Sequence, residues 1–189
     1  MKILPPLETF GPRICIMGPS NSGKSTLAVA ISRKINLPAI HLDQLYYRPE
    51  SNWEPRQYEE FLGLHNDAIN QEMWVIDGNY RTCAPDRFKR ATGLILLDVS
   101  PPVSLLRYVR RCYSTKPRAG SLSDIKENVR WQMLKHLLLY TPGNRKNYKT
   151  LYDQCSLTKI FLPTPENIEE CYKTWGLYPN NLINLHKNR

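Results

Sequence analysis

The sequence is as informative for what it lacks as for what it holds. No apolar run in its 189 residues approaches the ~18 that a membrane span requires. Residues Met1–Arg13 carry Pro5, Pro6 and Pro12 and no signal-peptide core. Cysteine is sparse. Cys15, Cys83, Cys112, Cys155 and Cys171 are odd in number, and none form a C-x-x-C pair, so neither a disulfide framework nor a zinc site is indicated. Cys15 sits in an apolar run and reads as a small core residue. Internal repeats and low-complexity blocks are absent. No helix-turn-helix pattern or RNP-type aromatic motif is present. These exclusions leave a soluble protein of a reducing compartment, expected in the cytoplasm and away from membranes.

What is present is enough for a sizeable core and a polyanion-binding surface. Hydrophobic residues make up 41%, and 15 prolines and 9 glycines punctuate the chain. The length suits one domain, 1–189, with a lid insertion expected at about 114–150. The net charge is +9 and the pI about 9.4. A basic balance favours nucleotides, RNA, DNA or acidic lipids without choosing among them. The charge is uneven: Arg107, Arg110, Arg111, Lys116 and Arg118 fall within one stretch that holds no acid, and Arg145, Lys146 and Lys149 follow later. Nucleic acid is therefore an open partner.

Strand and helix patterns alternate. Strands are expected at Arg13–Met17, Ala39–Leu42, Trp74–Ile76, Gly93–Val99 and Thr158–Leu162. Helices are expected at Ser25–Ile35, Gln57–Glu72, within Thr82–Arg90, from Pro101-Pro102 to Tyr113, and at Asp124–Tyr140, where Pro142-Gly143 should end it. Residues 144–153 read as the end of another helix, and Thr164 as the N-cap of the last, to Trp175. Ser114–Ser123 is the candidate lid loop. Such alternation implies a parallel sheet covered on both faces, with ligands beyond the carboxyl ends of its strands.

One segment fits that rule directly. Gly18-Pro19-Ser20-Asn21-Ser22-Gly23-Lys24-Ser25 matches G-x-x-x-x-G-K-[ST] between the first strand and first helix. Gly18 and Gly23 let main-chain N–H groups converge on phosphate oxygens, and the helix start, through Thr26, adds partial positive charge. Lys24 would reach the terminal phosphates of a nucleotide and the Ser25 hydroxyl would ligate Mg²⁺. Asp77 ends the third strand, in position to hold the metal's shell; Asp43 ends the second, in position to accept from a substrate hydroxyl or act as its base. The lesser reading of either aspartate is a cap on a turn or helix. His41 reads as a core histidine. Arg107 and Arg111, spaced i, i+4, can aim guanidinium groups at transferring phosphate, or simply form a solvated basic face. Arg81 could grip an acceptor. Tyr46, Tyr47, Trp53 and Tyr80 could wall its pocket or pack the loops. The guanine selector Asn-Lys-x-Asp is missing, since Asn144-Arg145-Lys146-Asn147 lacks its Asp.

Three segments together, Gly18 to Ser25, His41-Leu42-Asp43-x-Leu45-Tyr46-Tyr47 and Trp74-Val75-Ile76-Asp77-Gly78-Asn79-Tyr80, resemble the adenylate-kinase-related P-loop proteins called topology modulation proteins. The resemblance covers residues 13–113. It implies a doubly wound α/β fold, a five-stranded parallel sheet in the order 2-3-1-4-5, and ATP with Mg²⁺ as cofactors. Asp77-Gly78-Asn79-Tyr80-Arg81 stands where adenylate kinases carry Asp-Gly-Phe-Pro-Arg. That register gives Asp77 the magnesium-shell role and Arg81 the acceptor-phosphate role. Arg107 and Arg111 match the Arg-x-x-x-Arg pair that enters the lid. The function implied is phosphoryl transfer from ATP to a small molecule, with Asp43, Tyr46 and Arg81 at the acceptor. The alternative is a nucleotide-dependent, nucleic-acid-binding regulator of DNA topology.

Overall fold

Period-two apolar patterning places alternate strand residues on opposite faces of one sheet. In β1 (Arg13–Met17), Ile14 and Ile16 join one buried cluster while Cys15 and Met17 join another, all with at most 1% exposure. The computed structural model describes residues 4–49, 51, 53–113, 120 and 141–178. Within it follow α1 (Lys24–Ile35), β2 (Ala39–His41), α2 (Leu42–Tyr46), α3 (Tyr58–Asn70), β3 (Trp74–Asp77), α4 (Ala84–Arg90) and β4 (Gly93–Leu97). The order closes with α5 (Pro101–Cys112), α6 (Thr141–Gln154), β5 (Thr158–Leu162) and α7 (Pro165–Thr174).

The five strands pair in parallel in the order β2-β3-β1-β4-β5, the order the resemblance implies. Leu27, Ala28 and Ile31 of α1 and Ile168 and Cys171 of α7 cover one face; Ile69 of α3, Phe88 of α4 and Tyr148 of α6 cover the other. Full burial of a Leu or Ile side chain such as Leu27 or Ile31 stabilises by about 1.5–3 kcal/mol. The fold is thus a doubly wound α/β sheet. Register brings Ile16 beside Asp77, and Asp77 beside His41, so the ends of β1, β3 and β2 lie in line. Among the described residues no helix is long and apolar enough to cross a membrane.

Three elements depart from the sequence expectations. A 3₁₀ turn at Leu7–Phe10 precedes β1 and buries both Leu7 and Phe10. The second strand stops at His41, because α2 starts at once and takes Asp43 into its first turn, where a carboxylate complements the helix dipole. Asp43 therefore follows the strand end instead of forming it. Pro142-Gly143 opens a helix and does not end one: α6 begins at Thr141, and proline is tolerated in a first turn because its missing N–H has no helical partner there. The expected helix 124–140 and most of the expected lid loop, along with Arg118, lie outside the described residues. The last expectation holds in detail: the Thr164 hydroxyl accepts from Asn167 N at 3.2 Å and caps α7.

Candidate functional site

The segment from Gly18 to Gly23 forms a tight loop between the end of β1 and the start of α1, which Lys24 and Ser25 open. Gly18 has φ +145°, and a Cβ there would sit 2.2 Å from the Leu97 carbonyl oxygen at the end of β4, so only glycine fits. Gly23, with φ +102°, precedes the first helical residue, Lys24. Pro19 and Ser22 are buried, Ser20, Asn21, Lys24 and Ser25 partly so, and Thr26 is exposed on the first turn of α1. The Ser22 N–H donates to the Pro19 carbonyl at 3.2 Å, closing a turn. Lys24 Nζ donates to the same carbonyl at 2.9 Å, so its ammonium arches over the loop.

Asp77 is the junction of the site. One carboxylate oxygen accepts from Ser25 Oγ at 2.7 Å, and the other meets His41 Nδ1 in a close hydrogen bond. Asp77 is 5% and His41 8% exposed. The sequence read His41 as a core residue. It is buried, but its ring binds the carboxylate that the motif places under the loop. No local signal marks this contact, because His41 meets Asp77 only once β2 and β3 pair in register. Gly120 lies over this group, where a Cβ would come within 3.1 Å of both Ser25 Oγ and His41 Cγ.

The acceptor candidates lie along the next turn. Tyr80 donates its hydroxyl to Asp43 Oδ1 at 2.8 Å. Burial, then the Asp43 charge, push the Tyr80 phenol far above its ordinary value, so it remains a donor. Tyr46 packs on Tyr47, Phe61 and Tyr80 with ring centroids 4.9, 5.2 and 5.1 Å away, and Trp53 extends the cluster through Tyr47. Arg81 is exposed and lies where its charge acts on Tyr148 of α6.

Arg107 approaches from the other side. Its Nη1 donates to the Ser22 carbonyl at 2.7 Å, joining α5 to the loop. Partial burial lowers its pKa. It also borders an open cleft of about 620 Å³ lined by Pro165, Ile168 and Tyr172 of α7 and by Leu177. Arg111 lies on α5 one turn later, and its side chain is outside the described residues. Arg110 is exposed.

Two residues with no role assigned from sequence take part in this framework. Asn79 binds both main-chain polar groups of Gly18. Arg145 of α6 grips the Asp98 carboxylate with Nε–Oδ1 2.5 Å and Nη2–Oδ2 3.0 Å, fixing that helix beside the end of β4.

Hard oxygen donors such as the Ser25 hydroxyl and the Asp77 carboxylate suit Mg²⁺, and a glycine-bounded loop at a helix start suits phosphate. The residues present therefore fit ATP·Mg²⁺. No family model and no curated protein matches the sequence. Solved structures do. A gluconokinase from Sinorhizobium meliloti 1021 is similar over 88% of this chain and 93% of its own, at 20% identity and a TM-score of 0.51. A shikimate kinase from Bacteroides thetaiotaomicron is similar over 86% of this chain and 95% of its own, at 21% identity and a TM-score of 0.53. At these identities the likeness is one of fold, here a doubly wound five-stranded parallel sheet in the order 2-3-1-4-5.

Proposed function

We propose that the chain is a phosphotransferase that moves the terminal phosphoryl group of ATP to a small molecule, with Mg²⁺. The observation that carries this reading is the Ser25–Asp77 hydrogen bond at 2.7 Å, directly beneath a loop whose lysine arches over it. In that reading the amides of Gly18 to Thr26 and the Lys24 ammonium bind the phosphates. Ser25 and Asp77 hold the metal, which when bound neutralises phosphate charge and orients the transferring group. Arg107 closes the loop from the α5 side. The cleft beside it, of about 620 Å³, is of a size that suits a nucleobase and ribose. Arg111, one turn later, follows as a candidate for the developing charge.

The acceptor belongs on the β2–β3 side. Asp43 receives the acceptor hydroxyl there, Tyr80 holds the Asp43 carboxylate, Tyr46 contributes an aromatic wall, and Arg81 lies at the exit. The names of the similar structures, a gluconokinase and a shikimate kinase, favour a small-molecule acceptor. The motif resemblance to topology modulation proteins belongs to the same proposal, as does residence in the cytoplasm.

An ATP-consumption screen over nucleosides, nucleoside monophosphates and small hydroxylated metabolites tests the reading. One acceptor class should raise consumption above the acceptor-free rate, and Lys24→Ala should abolish it. ATP hydrolysis unaffected by every acceptor, joined to salt-sensitive binding of DNA or RNA, would instead support a nucleotide-dependent nucleic-acid regulator; the +9 charge is what favours that second reading.

A further inference from the structure

We propose that Asn79 is a positioning residue for the phosphate-binding loop, braced from below by the buried guanidinium of Arg87. The proposal rests on the nucleotide-site reading above.

The backbone ladder between β1 and β3 ends at Ile16 and Asp77, with one last bond from Gly78 N to Ile16 O at 3.2 Å. Beyond that point the chains diverge, because β1 must turn into the loop. Asn79 continues the ladder with its side chain. Its Oδ1 accepts from Gly18 N at 3.1 Å, and its Nδ2 donates to Gly18 O at 2.9 Å. Only this amide orientation satisfies both bonds. The two bonds fix the first residue of the loop at the point where its φ of +145° turns the chain away from the sheet. A loop held at its entry presents its later amides to phosphate without first ordering itself, which lowers the cost of binding.

Arg87 explains why Asn79 is so placed. It is fully buried in α4, and Nη2 donates to the carbonyls of Asn79 at 2.9 Å and Gly78 at 3.4 Å. Nη1 contacts His65 Nε2 at 3.3 Å. Burying a cation is costly unless its donors are used; here Nη2 is used on the peptide groups of the 78–80 turn and Nη1 on His65 and Cys83, while Nε has no partner among the described residues. The turn's main chain is therefore held from one side by Arg87, while its side chains reach the other. Asp77 goes to Ser25, Asn79 to Gly18 and Tyr80 to Asp43. One four-residue segment thereby sets the loop entry, the proposed metal ligands and the acceptor aspartate.

The test is calorimetric titration with ATP·Mg²⁺ beside thermal unfolding of each variant. Asn79→Ala should weaken ATP binding by roughly tenfold, because a loop no longer held at its entry must order itself on binding. Asn79→Asp keeps an oxygen for the Gly18 N–H but sets another against the Gly18 carbonyl, so it should also bind weakly; it serves alone if the alanine variant does not fold. Leu7→Ala, a core truncation away from the loop, should lower the Tm without changing ATP affinity, separating positioning from general stability. ATP affinity within twofold of wild type in a folded Asn79 variant, while Lys24→Ala loses binding, overturns the role of Asn79 alone. Binding that survives Lys24→Ala, or no binding by the wild type, overturns the nucleotide-site reading with it.

Discussion

Ser25 Oγ donates to Asp77 Oδ2 at 2.7 Å, tying the first turn of α1 to the end of β3. Neither element alone would hold both oxygens, since the residues are 52 positions apart in sequence. A divalent cation held between the loop and β3 would take both as ligands, directly or through water. Asp77→Asn preserves shape and removes the charge. The expected outcome is an ATP affinity whose Mg²⁺ dependence moves to about 10–100-fold higher Mg²⁺, as for other disrupted ligand shells. Titrations with Mg²⁺ and with EDTA check it. An unchanged Mg²⁺ response would remove Asp77 from the metal site.

Gly18→Ala makes a different demand on the fold. The added methyl would meet the Leu97 carbonyl oxygen at 2.2 Å, and that oxygen belongs to the backbone of β4, which cannot swing aside. The backbone angle of +145° is strained for any L residue as well. A loss of at least ~2 kcal/mol in denaturant unfolding is expected. Gly143→Ala, where nothing lies within 4 Å, should change stability little and provides the control.

Much of the fold was legible because its signals are local. Apolar runs such as Gly93–Leu97 marked buried strands, and the glycine loop announced its strand and helix. The loop residues could be placed for the same reason. What stayed hidden depends on register across distant segments. His41 reads as an ordinary core histidine until β2 is set beside β3, and Asn79 reads as a loop residue until Gly18 lies opposite. Arg87 looks like a surface residue in Arg87-Phe88-Lys89-Arg90, yet it is fully buried, because only the fold supplies the carbonyls that accept its protons. The boundary at Asp43 was missed because Ile40 and Leu42 alternate like a strand, while Leu42 already begins a helix.

Arg107 links the loop to the cleft at α7, so its loss should affect a whole nucleotide more than its phosphates. Its Nη1 bond to the Ser22 carbonyl is 2.7 Å, and the side chain continues to the Pro165–Tyr172 wall. Arg107→Ala is expected to weaken ATP binding about tenfold, or ~1.4 kcal/mol, and tripolyphosphate binding less. Arg107→Lys should recover only part, because an ammonium lacks the planar fork that spans both surfaces. Equal losses for ATP and tripolyphosphate would place Arg107 on the phosphates instead.

His65 gives the fold a pH response of predictable sign. It is fully buried beside Arg87, and burial followed by the Arg87 charge lowers its pKa below the ordinary value. In the unfolded chain it titrates near ~6.5. As pH falls through that value, the unfolded state takes up a proton that the folded state refuses, so stability drops until the lower folded pKa is reached. Above pH ~7.5 both states are neutral at this residue and it contributes no slope. His65→Gln can still accept from Arg87 and cannot become charged. Its unfolding free energy should therefore fall less than that of the wild type between pH 7 and 5, with a slope difference of at most about 1.4 kcal/mol per pH unit. The two curves should run parallel above pH 7.5. Equal acid slopes for the two proteins would show that His65 carries the same charge folded and unfolded, and that the Arg87 pocket tolerates a second cation.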